Sequence, residues 1–324
     1  MARTRLYRAG ILVRENFPVR DISAHLADPA SVVWLDLYRP GPAEFAAVGE
    51  EFGLHELALE DARHKGQRPK LDRYQAHEFL SAYAVTVAPD TAELSTSEVA
   101  AFLTDRALIT LRLDDGFAVE DLVARWDQTP GLAGCGVGFL VHGLLDLLVD
   151  GHVAAVQHLD DQIEELEGLL FDEGRRQVET VQRRSYALRK SLTQLRRVVL
   201  PMRDVVNTLV RPDLQLVAGP LVPYYQDVQD HLLHAIEQTE SLRDMVASVM
   251  ETNMSVQANQ MNLIMKKVTS WAAIIAVPTA ITGFYGQNLP YPGFAHLSGL
   301  IVSSALIAAM STLLYLIFKH KNWL

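Results

Sequence analysis

A narrow line of residues along one face of a long predicted helix could contact an ion. Counting in steps of three and four gives Asp244, Ala247, Glu251, Met254, Ala258, Met261, Met265, Val268, Ala272, Ala276, Thr279, Gly283 and Gly286. This stripe is mostly small or flexible, with sparse polar groups, which suits either a seam where helices pack closely or the wall of an ion path. From the stripe alone, the packing seam is the simpler interpretation.

Two other polar clusters have simpler explanations than metal chemistry. His231 and His234 lie near Asp227 and Asp230, and this spacing could hold Zn²⁺, but no cysteine is nearby and the helix is expected to be exposed. An acidic run of mixed spacing is interpreted as a solvated helix face rather than a metal store. Its members are Asp160, Asp161, Glu164, Glu165, Glu167, Asp172 and Glu173.

Composition limits the class of function. All 39 acidic residues and 27 of the 29 basic residues lie before residue 268, so that part carries about −12, which argues against nucleic acid and suits cations. The single cysteine, Cys135, fits a reducing compartment. The chain has no Ser-His-Asp, Walker or glycine-rich phosphate pattern, so we expect neither an enzyme nor an organic cofactor.

The stripe ends in a region that predicts two membrane spans. Residues 268–318 contain no Asp, Glu, Lys or Arg, and the sequence Gly-Gln-Asn-Leu-Pro-Tyr-Pro-Gly at 286–293 divides them. The predicted spans are 268–286 and 297–318, and at about 1.5 Å per residue each can cross a hydrocarbon core of roughly 30 Å. Two buried amphipathic helices are the alternative, but such helices almost always have one charged face.

Basic residues predict the orientation of the spans. Lys266 and Lys267 precede the first span, and Lys319 and Lys321 follow the second, whereas the turn between the spans carries no Lys or Arg. The positive-inside rule therefore places the large domain and both termini in the cytoplasm. The N-terminal segment shows no secretory signal pattern, since its arginines are spread out and it lacks an apolar core.

The rest of the chain divides into an α/β part and a helical part. Strand-like runs are at Leu6–Val13, Val32–Leu37, Glu78–Val87, Ser97–Leu103 and Ala107–Leu113, with helical patterns at Pro42–Phe52 and Leu54–Arg63. Three long helices follow, at about 134–174, 176–211 and 222–286. The expected segments are an α/β domain (1–130), long antiparallel helices (131–221), a stalk helix (222–267), the first span (268–286), an external turn (287–296), the second span (297–318) and a basic tail (319–324).

The third long helix indicates an oligomer. Between Tyr224 and Trp271 no proline or glycine interrupts it, and it runs directly into the first span. A helix of about 65 residues would be nearly 100 Å long, and one chain offers too little apolar surface to cover it. Association of several copies is the physical solution.

The chain resembles the CorA family of divalent-cation transporters over nearly its whole length. That family ends its first span with Gly-Met-Asn, usually after Tyr, and here Tyr285-Gly286-Gln287-Asn288 stands in that place. The other matching segments are Glu60-Asp61, Gln67-Arg68-Pro69-Lys70, Leu195-Arg196-Arg197 to Arg203-Asp204, Asp227 to His231, Met265-Lys266-Lys267 and Lys321-Asn322-Trp323-Leu324. The resemblance implies a funnel-shaped homo-pentamer in a bacterial plasma membrane that takes up Mg²⁺, and also Co²⁺ or Ni²⁺, passively.

The resemblance also implies roles for particular residues. The pore and selectivity residues are Gly286, Gln287, Asn288, Thr279 and Gly283; the hydrophobic gate is Met254, Met261, Met265 and Val268; and the regulatory Mg²⁺ ligands are Glu60, Asp61, Asp227 and Glu251. A ring of Asn288 amides and Gly286 carbonyls can hydrogen-bond a hydrated Mg²⁺ ion without removing its water. Each regulatory acid could instead be an ordinary solvated or salt-bridged residue.

Because of two departures from the family pattern, the sequence does not determine which ion is transported. Gln287 replaces methionine, and the turn lacks the acidic residue often found after the motif in magnesium-transporting members. A zinc importer of the same architecture, with or without proton coupling, is therefore an alternative. A membrane-tethered cation sensor that conducts nothing is another.

Overall fold

The computed structural model describes residues 2–89, 91–170, 175–211, 214, 216–217, 219–287, 290, 292–294 and 296–324. Contacts between residues divide the chain into two compact units, Met1–Met250 and Glu251–Leu324. The first unit is an α/β domain with long helices, and the second contains the apolar helical segments near the C-terminal end. This architecture confirms the predicted fold class.

Seven strands in the described residues form one mixed sheet. They are β1 (Ala2–Arg8), β2 (Ile11–Glu15), β3 (Ser31–Tyr38), β4 (Lys70–Arg73), β5 (Glu78–Val87), β6 (Leu94–Leu103) and β7 (Ala107–Arg112). The order across the sheet is β2-β1-β3-β7-β6-β5-β4. Strands β3 and β7 are parallel, and every other neighbouring pair is antiparallel.

The helices of the described residues lie between and after these strands. They are α1 (Ile22–Leu26), α2 (Pro42–Phe52), α3 (Glu56–Arg63), α4 (Val119–Gln128), α5 (Val137–Leu170), α6 (Arg175–Leu209), α7 (Val222–Tyr285) and α8 (Leu297–His320). Helix α2 has the predicted bounds, because Pro42 at its first turn and Gly53 after its end mark both termini in the sequence. Helices α1 and α4 and strand β4 were not predicted.

The predicted strand Leu6–Val13 is wrong in one respect. The chain reverses within it, because Ala9 and Gly10 have φ of 49° and 80°, and β1 and β2 form a hairpin. A Cβ atom at Gly10 would also lie 2.6 Å from the backbone nitrogen of Gly134. The hairpin turn therefore packs so closely on that segment that glycine is needed.

Two apolar cores cover the two faces of the sheet. On one face, Leu35 and Phe79 pack with Phe45 of α2 and Ala58 of α3. On the other face lies a larger cluster that includes Trp34 and residues of α4, α5, α6 and α7. Strand β3 contributes to both cores because successive side chains of a strand point to opposite faces.

Helix α5 belongs to the core of the first unit. Its most apolar window has a mean hydropathy of 1.6, which is enough for a membrane span, but 67% of that window is buried inside the domain. The comparable windows of α7 and α8 are 6% and 0% buried. Burial thus distinguishes a core helix from the two helices whose apolar side chains remain exposed.

Helices α7 and α8 correspond to the stalk and the two predicted spans. Helix α7 continues for 64 residues and contains Pro278 within the first predicted span. Helix α8 begins at the predicted residue, Leu297, and ends two residues beyond the predicted span, at His320. The segment boundaries assigned to the stalk, spans, turn and tail remain predictions.

Candidate ion path and regulatory carboxylates

Every residue of the stripe is exposed on the single chain. In the candidate gate, Met254, Met261, Met265 and Val268 have exposed fractions of 71%, 60%, 56% and 59%. The smaller members between Asp244 and Gly286 are exposed as well. Nothing within the described part of this chain covers this face of α7, so the face is available for contact with another molecule.

The opposite side of α7 is the covered side within the second unit. Ser270 is fully buried, and Ala273, Ile274 and Val277 are partly buried. At about 100° per residue, these positions lie on roughly the other side of the helix from the stripe. The face used inside the chain is therefore distinct from the stripe.

Helix α8 has a matching row of less exposed residues. They recur at steps of three and four and comprise Gly299, Ser303, Ile307, Ser311, Leu314 and Phe318. Small residues in such a row allow two helices to approach closely. We infer that this row faces the covered side of α7, because α8 is the other long helix of this unit.

Composition separates the stripe from the rest of the exposed surface of α7. Ile264, Trp271 and Ile275 are exposed away from the stripe and are bulky, as expected for a face in contact with lipid. Within the first span, the stripe instead carries small residues such as Ala272 and Gly283. A Cβ atom at Gly283 would meet nothing within 4 Å, so the chain itself leaves this space open.

The helix end at the motif depends on glycine. Tyr285 is the last residue of α7, the Gly286 N–H donates to the carbonyl of Thr282 at 2.8 Å, and the Gln287 N–H donates to the carbonyl of Phe284 at 3.2 Å. A Cβ atom at Gly286 would lie 2.9 Å from the Thr282 carbonyl oxygen. Asn288, the predicted main selectivity residue, lies outside the described residues.

Thr279 is placed to present an oxygen lone pair on the stripe. Its hydroxyl donates to the carbonyl of Ile275 at 3.1 Å. Because the proton is used within the helix, the remaining lone pairs of the oxygen are available as acceptors. A ring of such oxygens suits a cation or the waters bound to it.

Asp61 is engaged by a lysine that the sequence argument did not use. The Lys70 ammonium lies 2.6 Å from Asp61 Oδ2 and 2.6 Å from Asp72 Oδ2, and Gln67 Nε2 lies 3.4 Å from Asp61 Oδ1. Burial lowers the pKa of Lys70, but the hydrogen bonds and charges of Asp61 and Asp72 outweigh it and raise that pKa. The sequence of the segment Gln67–Lys70 did not predict this contact. The contact depends on the chain returning toward α3, which carries Asp61, where β4 begins at Lys70.

The other regulatory candidates are exposed. The side chains of Glu60 and Glu251 have no side-chain partner among the described residues, and Asp227 Oδ1 lies 3.9 Å from His231 Nε2. No three His, Cys, Asp or Glu side chains among the described residues are grouped to hold a metal ion. The described geometry therefore gives no support to a zinc site at His231 and His234, and a site built from these acids would need ligands from more than one copy.

The acidic run on α5 is a solvated face where it is described. Asp161, Glu164 and Glu165 are exposed, and Glu165 pairs with Arg184 at 2.8 Å. Asp172 and Glu173 lie outside the described residues.

Comparisons with known proteins bear on the family of this chain. A family model described as "CorA-like Mg2+ transporter protein" matches residues 29–320. The chain is 31% identical to "Cobalt/magnesium transport protein CorA" of Thermotoga maritima, covering 86% of this chain and 79% of that protein. It is 30% identical to "Putative metal ion transporter YfjQ" of Bacillus subtilis, and that alignment covers 90% of this chain and 89% of the other protein.

A solved structure shares the fold over the full length. It is the complete structure of the CorA magnesium transporter from Methanocaldococcus jannaschii, with a TM-score of 0.78 and 22% identity, covering 100% of this chain and 99% of the other. At this identity, the likeness concerns the fold alone.

Proposed function

This chain belongs to the family of CorA-like Mg²⁺ transporter proteins, and we propose that it carries Mg²⁺ passively into the cell through a pore lined by the α7 stripe. The family assignment confirms the recognition made from the motif. It also confirms that the chain is a divalent-cation transporter rather than an enzyme.

The observation that carries the proposal is the two-faced surface of α7. One side is covered within the chain, and the opposite side exposes an unbroken row of small, flexible and sparsely polar residues. A closed ring of identical helices places such a row around a central axis. We propose a homo-pentamer, with the number of copies taken from the family resemblance.

In this pore, the ion is bound by neutral oxygens. Asn288 amides and Gly286 carbonyls form the outer ring, and Thr279 hydroxyls form a second ring further in. Neutral dipoles hold a hydrated Mg²⁺ ion weakly enough for it to leave again. The negative-inside potential of a bacterial plasma membrane drives the flux, at roughly 2.3 kcal/mol per charge per 100 mV, with both termini in the cytoplasm.

We propose that cytoplasmic Mg²⁺ regulates the gate. Met254, Met261, Met265 and Val268 form an apolar constriction. Mg²⁺ bound between copies by Glu60, Asp61, Asp227 and Glu251 stabilises the closed ring, and its loss restores repulsion between the carboxylates. To bind Asp61, the ion displaces the Lys70 ammonium.

Zinc import is the second candidate for the transported ion. The described part of the external turn carries Pro290, Pro292, Gly293 and Phe294, without an acidic residue, and Gln287 stands in the motif. Both features weaken the argument for Mg²⁺ as the transported ion. Membership of a transporter family argues against the other alternative, a non-conducting sensor of the same architecture.

Flux in liposomes tests these interpretations. We expect the purified protein to admit Mg²⁺, reported by an internal Mg²⁺-sensitive dye, and Asn288→Ala to abolish most of that flux while the oligomer stays intact by gel filtration. Gln287→Met is the matched control, and it should keep Mg²⁺ flux. Zn²⁺ flux without Mg²⁺ flux would favour the zinc importer, and no flux of either ion would contradict the proposed passive transport. Wild-type conduction by Asn288→Ala would show that the filter assignment is wrong.

A further inference from the structure

Two segments that the proposed transport leaves unused enclose one cavity. The loop Gly66–Pro69, just before β4, faces residues 194–201 of α6 across a cavity of about 540 Å³. This volume lies in the range of roughly 300–1,000 Å³ that is typical of small-molecule sites. All of its lining residues belong to the first unit.

The cavity has two unpaired guanidinium groups. Arg68 and Arg197 line it, both are exposed, and neither forms a hydrogen bond or ion pair with another described residue. Arg196, also at the cavity, is already paired with Glu240 of α7. None of the described lining residues is acidic, so the cavity is electropositive.

The rest of the wall has apolar groups beside the polar side chains of Gln67, Thr96 and Gln194. Pro69 and Val198 are buried, and Tyr83 is fixed because its hydroxyl donates to the carbonyl of Gln67. Burial and the nearby Glu98 raise the pKa of Tyr83, so its hydroxyl stays protonated at neutral pH. The wall can therefore cover a flat apolar ring without adding negative charge.

A backbone acceptor lies on the same wall. Pro201 is inside α6 and has no N–H, so the carbonyl of Arg197, four residues earlier, lacks its usual intrahelical donor. Since Arg197 and Pro201 both line the cavity, this carbonyl can accept a hydrogen bond from a ligand.

We propose that this cavity binds a nucleoside phosphate. The phosphate lies between the guanidinium groups of Arg68 and Arg197, which match its geometry and charge. The base lies on the apolar wall formed by Pro69, Val198 and Pro201, and its amino group donates to the carbonyl of Arg197. A planar ring, a hydrogen-bond donor and a phosphate are the three features that this wall recognises together.

Binding to the full-length oligomer in detergent tests the proposal without measuring transport. The probe is a fluorescent ATP analogue, titrated in EDTA so that removal of Mg²⁺ from the carboxylates cannot contribute. We expect saturable binding, and ATP should compete at least about tenfold better than adenosine or inorganic phosphate, because each of these fills half of the site.

Variants locate the site. Arg68→Gln with Arg197→Gln should weaken binding by about tenfold or more, whereas Arg189→Gln, an exposed arginine of the same helix outside the cavity, should not change it. Pro201→Ala restores the backbone N–H at position 201. It should weaken the binding of ATP but not the binding of phosphate. The proposal is overturned if millimolar nucleotide does not bind, if the double variant binds like wild type, or if phosphate competes as well as ATP.

Discussion

At the scale of residues, Lys70 is the unexpected neighbour of a predicted Mg²⁺ ligand. Its ammonium bridges Asp61 and Asp72, and Asp61 is the least exposed of the four proposed regulatory acids. A tethered cation in this position competes with a free one. Because Lys70 is 21% exposed and the two carboxylates are 29% and 40% exposed, each pair contributes at most about 1 kcal/mol.

Removing this competitor should make regulation by Mg²⁺ more sensitive. In Lys70→Met, the Mg²⁺ concentration that half-protects the stalk from a protease should fall by up to about fivefold, because an exposed ion pair is worth about 1 kcal/mol or less. Lys190→Met is the control, since Lys190 is exposed and lies 4.0 Å from Glu93, away from these acids.

The same substitution in an Asp61→Asn background should have no further effect. An unchanged or higher midpoint in Lys70→Met alone would contradict the competition between Lys70 and Mg²⁺. It would also indicate that Asp61 does not bind the regulatory ion.

At the scale of elements, one buried histidine joins α5 to the sheet. His152 is fully buried, and its Nε2–H donates to the carbonyl of Tyr83 in β5 at 2.8 Å. Its Nδ1 is also buried, and it has no hydrogen-bond partner among the residues that the structure describes. Burial lowers the pKa of His152 to about 4, and the hydrogen bond to Tyr83 offsets this only in part. The folded domain therefore holds this ring in the neutral form.

The burial of His152 should make the domain less stable at acidic pH. The unfolded chain binds a proton at His152 near pH 6.5, but the folded chain binds it only near pH 4. The stabilisation is thus present above pH 6.5 and is lost as pH falls toward 4, with a total on the order of 3 kcal/mol. Apparent Tm of the full-length protein in detergent should fall over that interval.

His152→Gln should flatten this part of the pH profile, because the amide N–H can still donate to Tyr83 but does not titrate. His231→Gln, at an exposed position of α7, should leave the profile as in wild type. If Tm falls at acidic pH as much in His152→Gln as in wild type, other titratable groups cause that fall.

At the scale of the whole molecule, we propose that the exposed stripe packs against other copies of the chain. The stripe stays uncovered on the described single chain along both the stalk and the first span. In water and in lipid alike, such a face is stabilised by packing against its own symmetry mates. The proposed ion path is thus a property of the assembly.

Disulfide formation between copies tests this arrangement in the membrane. In a Cys135→Ser background, Met261→Cys should form covalent dimers on mild oxidation, because facing stripes bring equivalent residues near one axis. No larger species is expected, since each thiol forms one disulfide. Leu316→Cys, at an exposed position near the C-terminal end of α8, is the control and should stay monomeric. Cross-linking at Leu316→Cys but not at Met261→Cys would show that the stripe on α7 does not face the axis.

The sequence alone determined the features that depend on neighbouring residues. Hydropathy and the absence of charge predicted the apolar C-terminal part of α7 and the apolar helix α8, and Pro42 and Gly53 marked α2. The motif and the order of the family segments identified the family. These signals are local because helix periodicity, caps and apolar length are properties of a continuous stretch of chain.

Only the tertiary structure decided the features that join distant residues. Burial showed that the apolar helix α5 is part of the core, and the strand order paired β3 with β7 in parallel. It also placed Lys70 against Asp61 and left the stripe uncovered on the chain. Periodicity says which residues share a face but not what that face contacts, because the contact depends on packing between segments far apart in sequence.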